Sequence, residues 1–217
     1  MNCYAKDVVK IAIEEVGYIE KKSNSNLDDK NANAGDKNYT KYARDLDKIK
    51  TFYNGAKQGF AWCEVFVDWC FVKAFGESEA KRLLFQPDKS TGAGTKYSIE
   101  FYKKNSAWYT TPDIGDQIYL NDGAHTGLVV GVYDTTNEIE VVEGNANNRV
   151  ELNRYNISDS YITGYGRPCY DVYESENEAE EIENITDAGG DGYKENAIAK
   201  FLKKIVALID KIIELLS

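Results

Sequence analysis

Residues 116–145 read DQIYLNDGAHTGLVVGVYDTTNEIEVVEGN. Runs rich in Val, Ile and Tyr alternate with polar residues or stay apolar for a few positions, and turn-forming Asn, Asp and Gly separate them. That is the pattern of strands. Extended in both directions, it predicts strands over 116–120, 125–133, 138–144, 149–155 and 162–167. Upstream the period changes. Val8, Val9, Ile11, Ala12, Ile13 and Val16 recur at helical spacing and stop at Gly17, which predicts a helix over 5–17. A short helix is expected around Tyr42 to Leu46 and another over 98–104. Between them GFAWCEVFVDWCFVKAFG, residues 59–76, carries apolar residues all round, as a helix buried on several sides should. Ser23 to Asn38 has little to bury and reads as an irregular connection. Helices followed by a meander of strands predict an α+β domain with N-terminal helices packed on an antiparallel sheet.

The chain has 217 residues, 42% of them hydrophobic, which suffices for one core and a small appendage. Its formal net charge of -10 is mostly local: residues 171–192 carry nine acids and no lysine or arginine. Residues 1–170 keep 24 acids and 21 bases, too close to neutrality for a polyanion footprint, so nucleic acid is not expected as a partner. The acidic stretch cannot bury enough apolar surface to fold and is expected to be a flexible linker after a domain over 1–170. Beyond it, Ile198, Leu202, Ile205, Ile209, Ile212 and Leu216 form a heptad seam, which predicts an amphipathic helix over 193–217. The first residues, MNCYAKDVVKIAIEEVGYIEKK, do not have the layout of a signal peptide, and no apolar run approaches the roughly 20 residues that span a bilayer. A soluble protein is expected.

Four cysteines, Cys3, Cys63, Cys70 and Cys169, do not read as a disulfide framework, and none forms a CxxC pair. Cys63 stands where a glycine-bearing loop gives way to the buried helix. Its sulfur is thus expected near the helix's positive end, an environment that favours a reactive thiolate. Cys70, seven residues along the same helix, fits a small buried hydrophobe instead, and Cys3 and Cys169 fall near the domain edges. The chain has one histidine, His125, so any mechanism with an imidazole base must use it. His125 opens a strand directly after a turn, and the next strand ends in Glu143-Gly144-Asn145, two candidates to orient the imidazole. An uninterrupted register pairing Tyr133 with Glu138 puts His125 on the face opposite Glu143 and Asn145. A bulge, or a three- or five-residue loop, is therefore predicted.

WC at a helix start, HTG opening a strand and EGN closing the next resemble the CHAP family, the cysteine, histidine-dependent amidases/peptidases. The resemblance runs from about Ile11 to Tyr170 and includes GYIEK, NYTKYARDL, WCEVFVDWCFVKAFG, GDQIYL, HTGLVVGV, EGN and GYGRP. The chain looks most like endolysins of phages and prophages of Gram-positive bacteria. This implies a papain-like fold in which Cys63 attacks an amide of peptidoglycan, His125 is the general base, and Glu143 or Asn145 orients it. It also implies a protein held in the host cytoplasm that reaches the cell wall on release. The backbone amide of Cys63 is the first candidate to hold the oxyanion and the Gln58 side chain a second. Trp62, beside the nucleophile, is the aromatic expected to line a substrate groove.

No cofactor is expected. Asp45 and Asp47 stand where some relatives bind calcium, but Arg44, Lys48 and Lys50 crowd them and suggest a solvated helix end. One histidine and scattered cysteines give no zinc spacing. The terminal helix, over 196–216, is expected to drive homo-oligomerisation, with membrane contact or docking on the catalytic domain as alternatives. A papain-like protease or transglutaminase acting on proteins, and a non-catalytic wall-binding module, are the rival readings.

Overall fold

The computed structural model describes residues 2–50, 52–87 and 92–171. The predicted linker beyond Asp171 and the predicted terminal helix, with its oligomerisation, lie outside the described residues. Within them the chain runs through five helices and six strands: α1 (Ala5–Glu14), α2 (Lys41–Asp47), α3 (Cys63–Phe75), α4 (Glu77–Leu83), α5 (Thr95–Lys104), β1 (Trp108–Tyr109), β2 (Gln117–Leu120), β3 (His125–Tyr133), β4 (Glu138–Ala146), β5 (Arg149–Asn156) and β6 (Ile162–Gly166). The strands make one antiparallel sheet in the order β1-β6-β2-β3-β4-β5. The fold is α+β, and each of the five expected strands is present.

Strand alternation gives the sheet two apolar faces. Tyr119, Leu128, Val130, Val142 and Val150 join Val8, Val65, Phe66 and Phe71 of the helices in the main core. Ile118, Leu120, Val129, Ile139, Val141 and Tyr165 form a smaller cluster on the other face. Helix α3 lies at the centre, with every residue from Glu64 to Phe71 buried. Apolar residues on every side of the helix suit burial against α1, α2, β3 and β4, and its two buried acids, Glu64 and Asp68, are hydrogen-bonded by Ser98, Gln117 and Tyr53. Gly144 lets β4 approach it closely, since a Cβ there would lie 2.4 Å from Phe66 Cβ.

The hairpin of β3 and β4 pairs Tyr133 with Glu138 across a four-residue loop, Gly131 with Glu140, and then Val129 with Val141 and Leu128 with Val142. Val130 is the extra residue. The predicted bulge is therefore found, and it returns His125 and Glu143 to one face. Gly127 stands between them on that face, opposite Glu143.

Boundaries differ from expectation, as where α5 begins at Thr95 and not at Ser98, and two short elements go beyond it. Helix α1 ends at Glu14 rather than at Gly17, which adopts a positive φ of 89° in the turn beyond it. Helix α4 escaped sequence reading because Ala80 and Leu83 are too few to display a period. Strand β1 escaped it because two residues become a strand only through their partners, here Gly166 and Tyr165 of β6. No helix among the described residues is long and apolar enough to cross a membrane.

Candidate active site

Cys63 is the first residue of α3 and is half-buried. The loop that delivers it is tied down from both sides. Asp47 accepts hydrogen bonds from the backbone amides of Lys57 at 2.7 Å and Gln58 at 3.2 Å. The Gln58 carboxamide pairs with the backbone of Thr40, accepting from its N–H at 3.0 Å and donating to its carbonyl at 2.9 Å, and donates again to Asn24 Oδ1 at 3.2 Å. Both its N–H groups are committed, so Gln58 is a loop strut and not an oxyanion donor. That expectation is corrected. At Trp62, the N-cap, no side-chain hydrogen bond closes the first turn of α3. The Cys63 amide belongs to the first turn of α3, whose N–H groups have no partner within the helix.

Trp62 is corrected as well. Its ring is fully buried beside Tyr18 and Tyr42, at centroid distances of 6.5 and 5.5 Å, and its Nε1 donates to the buried Glu20 carboxylate at 2.7 Å. An indole next to a half-exposed thiol has its largest apolar area to bury, and the core takes it. Trp69 is buried likewise, and Trp108 packs on Tyr119. Phe60, three residues before Cys63 in the chain, is 64% exposed.

His125 opens β3 with a fifth of its side chain exposed, and its Nε2 donates to Glu143 Oε2 at 2.8 Å. Cys63 is the other group that acts electrostatically on the imidazole. Burial favours the neutral ring, but the hydrogen bonds and charges of Cys63 and Glu143 outweigh it and raise the His125 pKa to about 9. Glu143 is buried, and its other oxygen accepts from Asn153 Nδ2 at 2.9 Å and from the Tyr155 hydroxyl at 2.7 Å. The carboxylate is therefore removed from water yet fully hydrogen-bonded. Burial and the neighbouring Glu143 together push the Tyr155 hydroxyl pKa upward, so it stays a donor.

Asn145 sits where the β4–β5 register shifts, with a positive φ of 60°. Among the described residues no hydrogen bond links it to His125, and Glu143 holds the ring instead. Asn153 and Tyr155 were missed in the sequence. Alternation in RVELNRYN puts them on one face of β5, but that they reach Glu143 follows only from the pairing of β5 with β4.

The remaining cysteines stay apart from this cluster. All four are free; burial raises the pKa of both Cys70 and Cys3, while Cys169 is exposed. Asp45 is engaged by Arg44, Lys48 and the Trp69 indole. A thiol, an imidazole with a raised pKa and a buried carboxylate make up a set able to form and discharge a covalent acyl intermediate. No protein-family model matches the chain, and no curated protein or solved structure shows a match to it.

Proposed function

We propose that the protein is a cysteine-dependent peptidoglycan hydrolase, an amidase or endopeptidase with a papain-like arrangement of its reacting groups. The observation that carries this reading is that the only imidazole in the chain is held by Glu143 at 2.8 Å and interacts electrostatically with Cys63. The motif resemblance to CHAP endolysins supplies the substrate, an amide of the bacterial cell wall.

His125, whose pKa is raised, takes the proton of the Cys63 thiol and becomes the imidazolium. The sulfur adds to the amide carbonyl, and the tetrahedral oxyanion accepts from the Cys63 amide. As the C–N bond breaks, His125 gives its proton to the leaving amine and a thioester remains on Cys63. The now neutral imidazole takes a proton from water, whose oxygen adds to the thioester. The acid departs and the thiolate is restored. Throughout, Glu143 keeps the ring oriented, itself fixed by Asn153 and Tyr155.

Replacing Cys63 by alanine is expected to abolish the clearing of purified Gram-positive walls while leaving the thermal transition and wall binding unchanged. Persistent clearing by that variant refutes the mechanism. Mass spectrometry of fragments released by the parent protein identifies the bond cut.

A further inference from the structure

Behind the reacting pair lies a buried carboxamide. Gln117 on β2 is completely buried, and its Nε2 donates to Glu64 Oε1 at 3.0 Å and to Thr126 Oγ1 at 3.1 Å. Its Oε1 accepts from the Tyr102 hydroxyl at 3.1 Å. The orientation of the amide follows from its neighbours. The Thr126 hydroxyl hydrogen is spent on the Ile118 carbonyl at 2.7 Å, so the Thr126 oxygen can only accept from Gln117. Glu64 directly follows Cys63, and Thr126 directly follows His125. One side chain therefore bridges α3 and β3 a single residue behind the nucleophile and a single residue behind the base. Ser98 of α5 closes the network by donating to the second Glu64 oxygen at 3.0 Å.

We propose that Gln117 is a positioning residue: by tying Glu64 to Thr126 it sets the separation of the Cys63 sulfur and the His125 imidazole. This rests on the reading of those two groups as the reacting pair. Without the carboxamide, two buried polar groups lose their shared donor, and helix and strand shift or admit water to relieve them. Small displacements weaken the interaction of sulfur and imidazole, and misplacement by about 1 Å can cost a hundredfold in rate.

The test uses the full chain with Gln117→Met, which keeps the length and removes the hydrogen bonds. The rate of Cys63 alkylation by iodoacetamide is followed against pH by peptide-resolved mass spectrometry, with exposed Cys169 as reference within the same molecule. In Gln117→Met, Cys63 is expected to react about tenfold more slowly near neutral pH, with its profile moved toward that of Cys169. The Cys169 rate stays constant, and kcat on walls falls with KM preserved. Thr126→Val, which removes one arm in nearly the same volume, is expected to shift the profile in the same direction, and Thr126→Ser to keep it; this pair decides the matter if Gln117→Met does not fold. An unchanged Cys63 profile in folded Gln117→Met, or in Thr126→Val, overturns the proposal. A parent protein whose Cys63 reacts no faster than Cys169 overturns the nucleophile assignment itself, a separate and recognisable result.

Discussion

Glu143 holds His125 from a position where water scarcely reaches it: the 2.8 Å contact joins an imidazole one-fifth exposed to a carboxylate whose side chain is 3% exposed. The carboxylate's other oxygen is taken by Asn153 and Tyr155, so it has little freedom to rotate away. Glu143→Gln keeps the shape but loses the negative charge. Its kcat on cell walls is expected to fall by about a hundredfold or more, within the usual range for disturbing a catalytic imidazole. Tyr155→Phe, which removes one of three hydrogen bonds to the carboxylate, is expected to lower kcat by a smaller factor. Steady-state hydrolysis of solubilised wall fragments checks both.

The pH dependence follows from His125. Its folded pKa of about 9 lies above the ordinary 6.5, so the folded state retains a proton that the unfolded chain releases. The stabilisation is complete below about 6.5 and is lost as pH rises through about 9. Activity is expected to follow the same limb, because the imidazolium protonates the leaving amine. A profile of kcat/KM should decline on the alkaline side near pH 9, and Glu143→Gln should move that decline to lower pH. A limb that stays put in Glu143→Gln excludes Glu143 as a source of the shift.

Gly127 has a steric duty. A Cβ there would lie 2.8 Å from both Glu143 Cγ and the Val142 carbonyl oxygen, and the latter is backbone that cannot swing aside. Gly127→Ala is expected to cost about 1–3 kcal/mol of stability, as overpacking does, and to push Glu143 off the imidazole. Denaturant titration reads the first effect and a depressed kcat the second.

Two aromatics close to Cys63 in sequence should separate cleanly. Trp62→Phe removes the donor from the buried Glu20 carboxylate and is expected to cost about 1–3 kcal/mol. Its wall affinity should be preserved. Phe60→Ala, on an exposed ring, is expected to leave the melting temperature within a degree or two while raising KM several-fold. Thermal melts and saturation kinetics on both variants check the pair, and the opposite pattern would return the groove to Trp62.

Much of the site was readable from residues because its members are rare or oddly placed. His125 has no competitor, and Cys63 stands at a loop-to-helix junction that Cys70 does not share. Parity even called for a bulge or an odd-length loop in the hairpin, and a bulge is what it has. What stayed hidden depends on partners supplied by distant chain. Nothing local to Gln58 reveals that Thr40 and Asn24 occupy its amide, nor does the neighbourhood of Trp62 announce Glu20. Asn153, Tyr155 and Gln117 look like ordinary strand residues until β5 is laid beside β4 and β2 beneath α3.

The extra residue at Val130 makes chain length, and not only residue identity, a determinant of chemistry. Loss of one codon between the strands would turn histidine and glutamate to opposite sides of the sheet with every catalytic letter still in place. Inactive copies arising this way would look intact to anyone checking residues alone, and one compensating insertion could revive them.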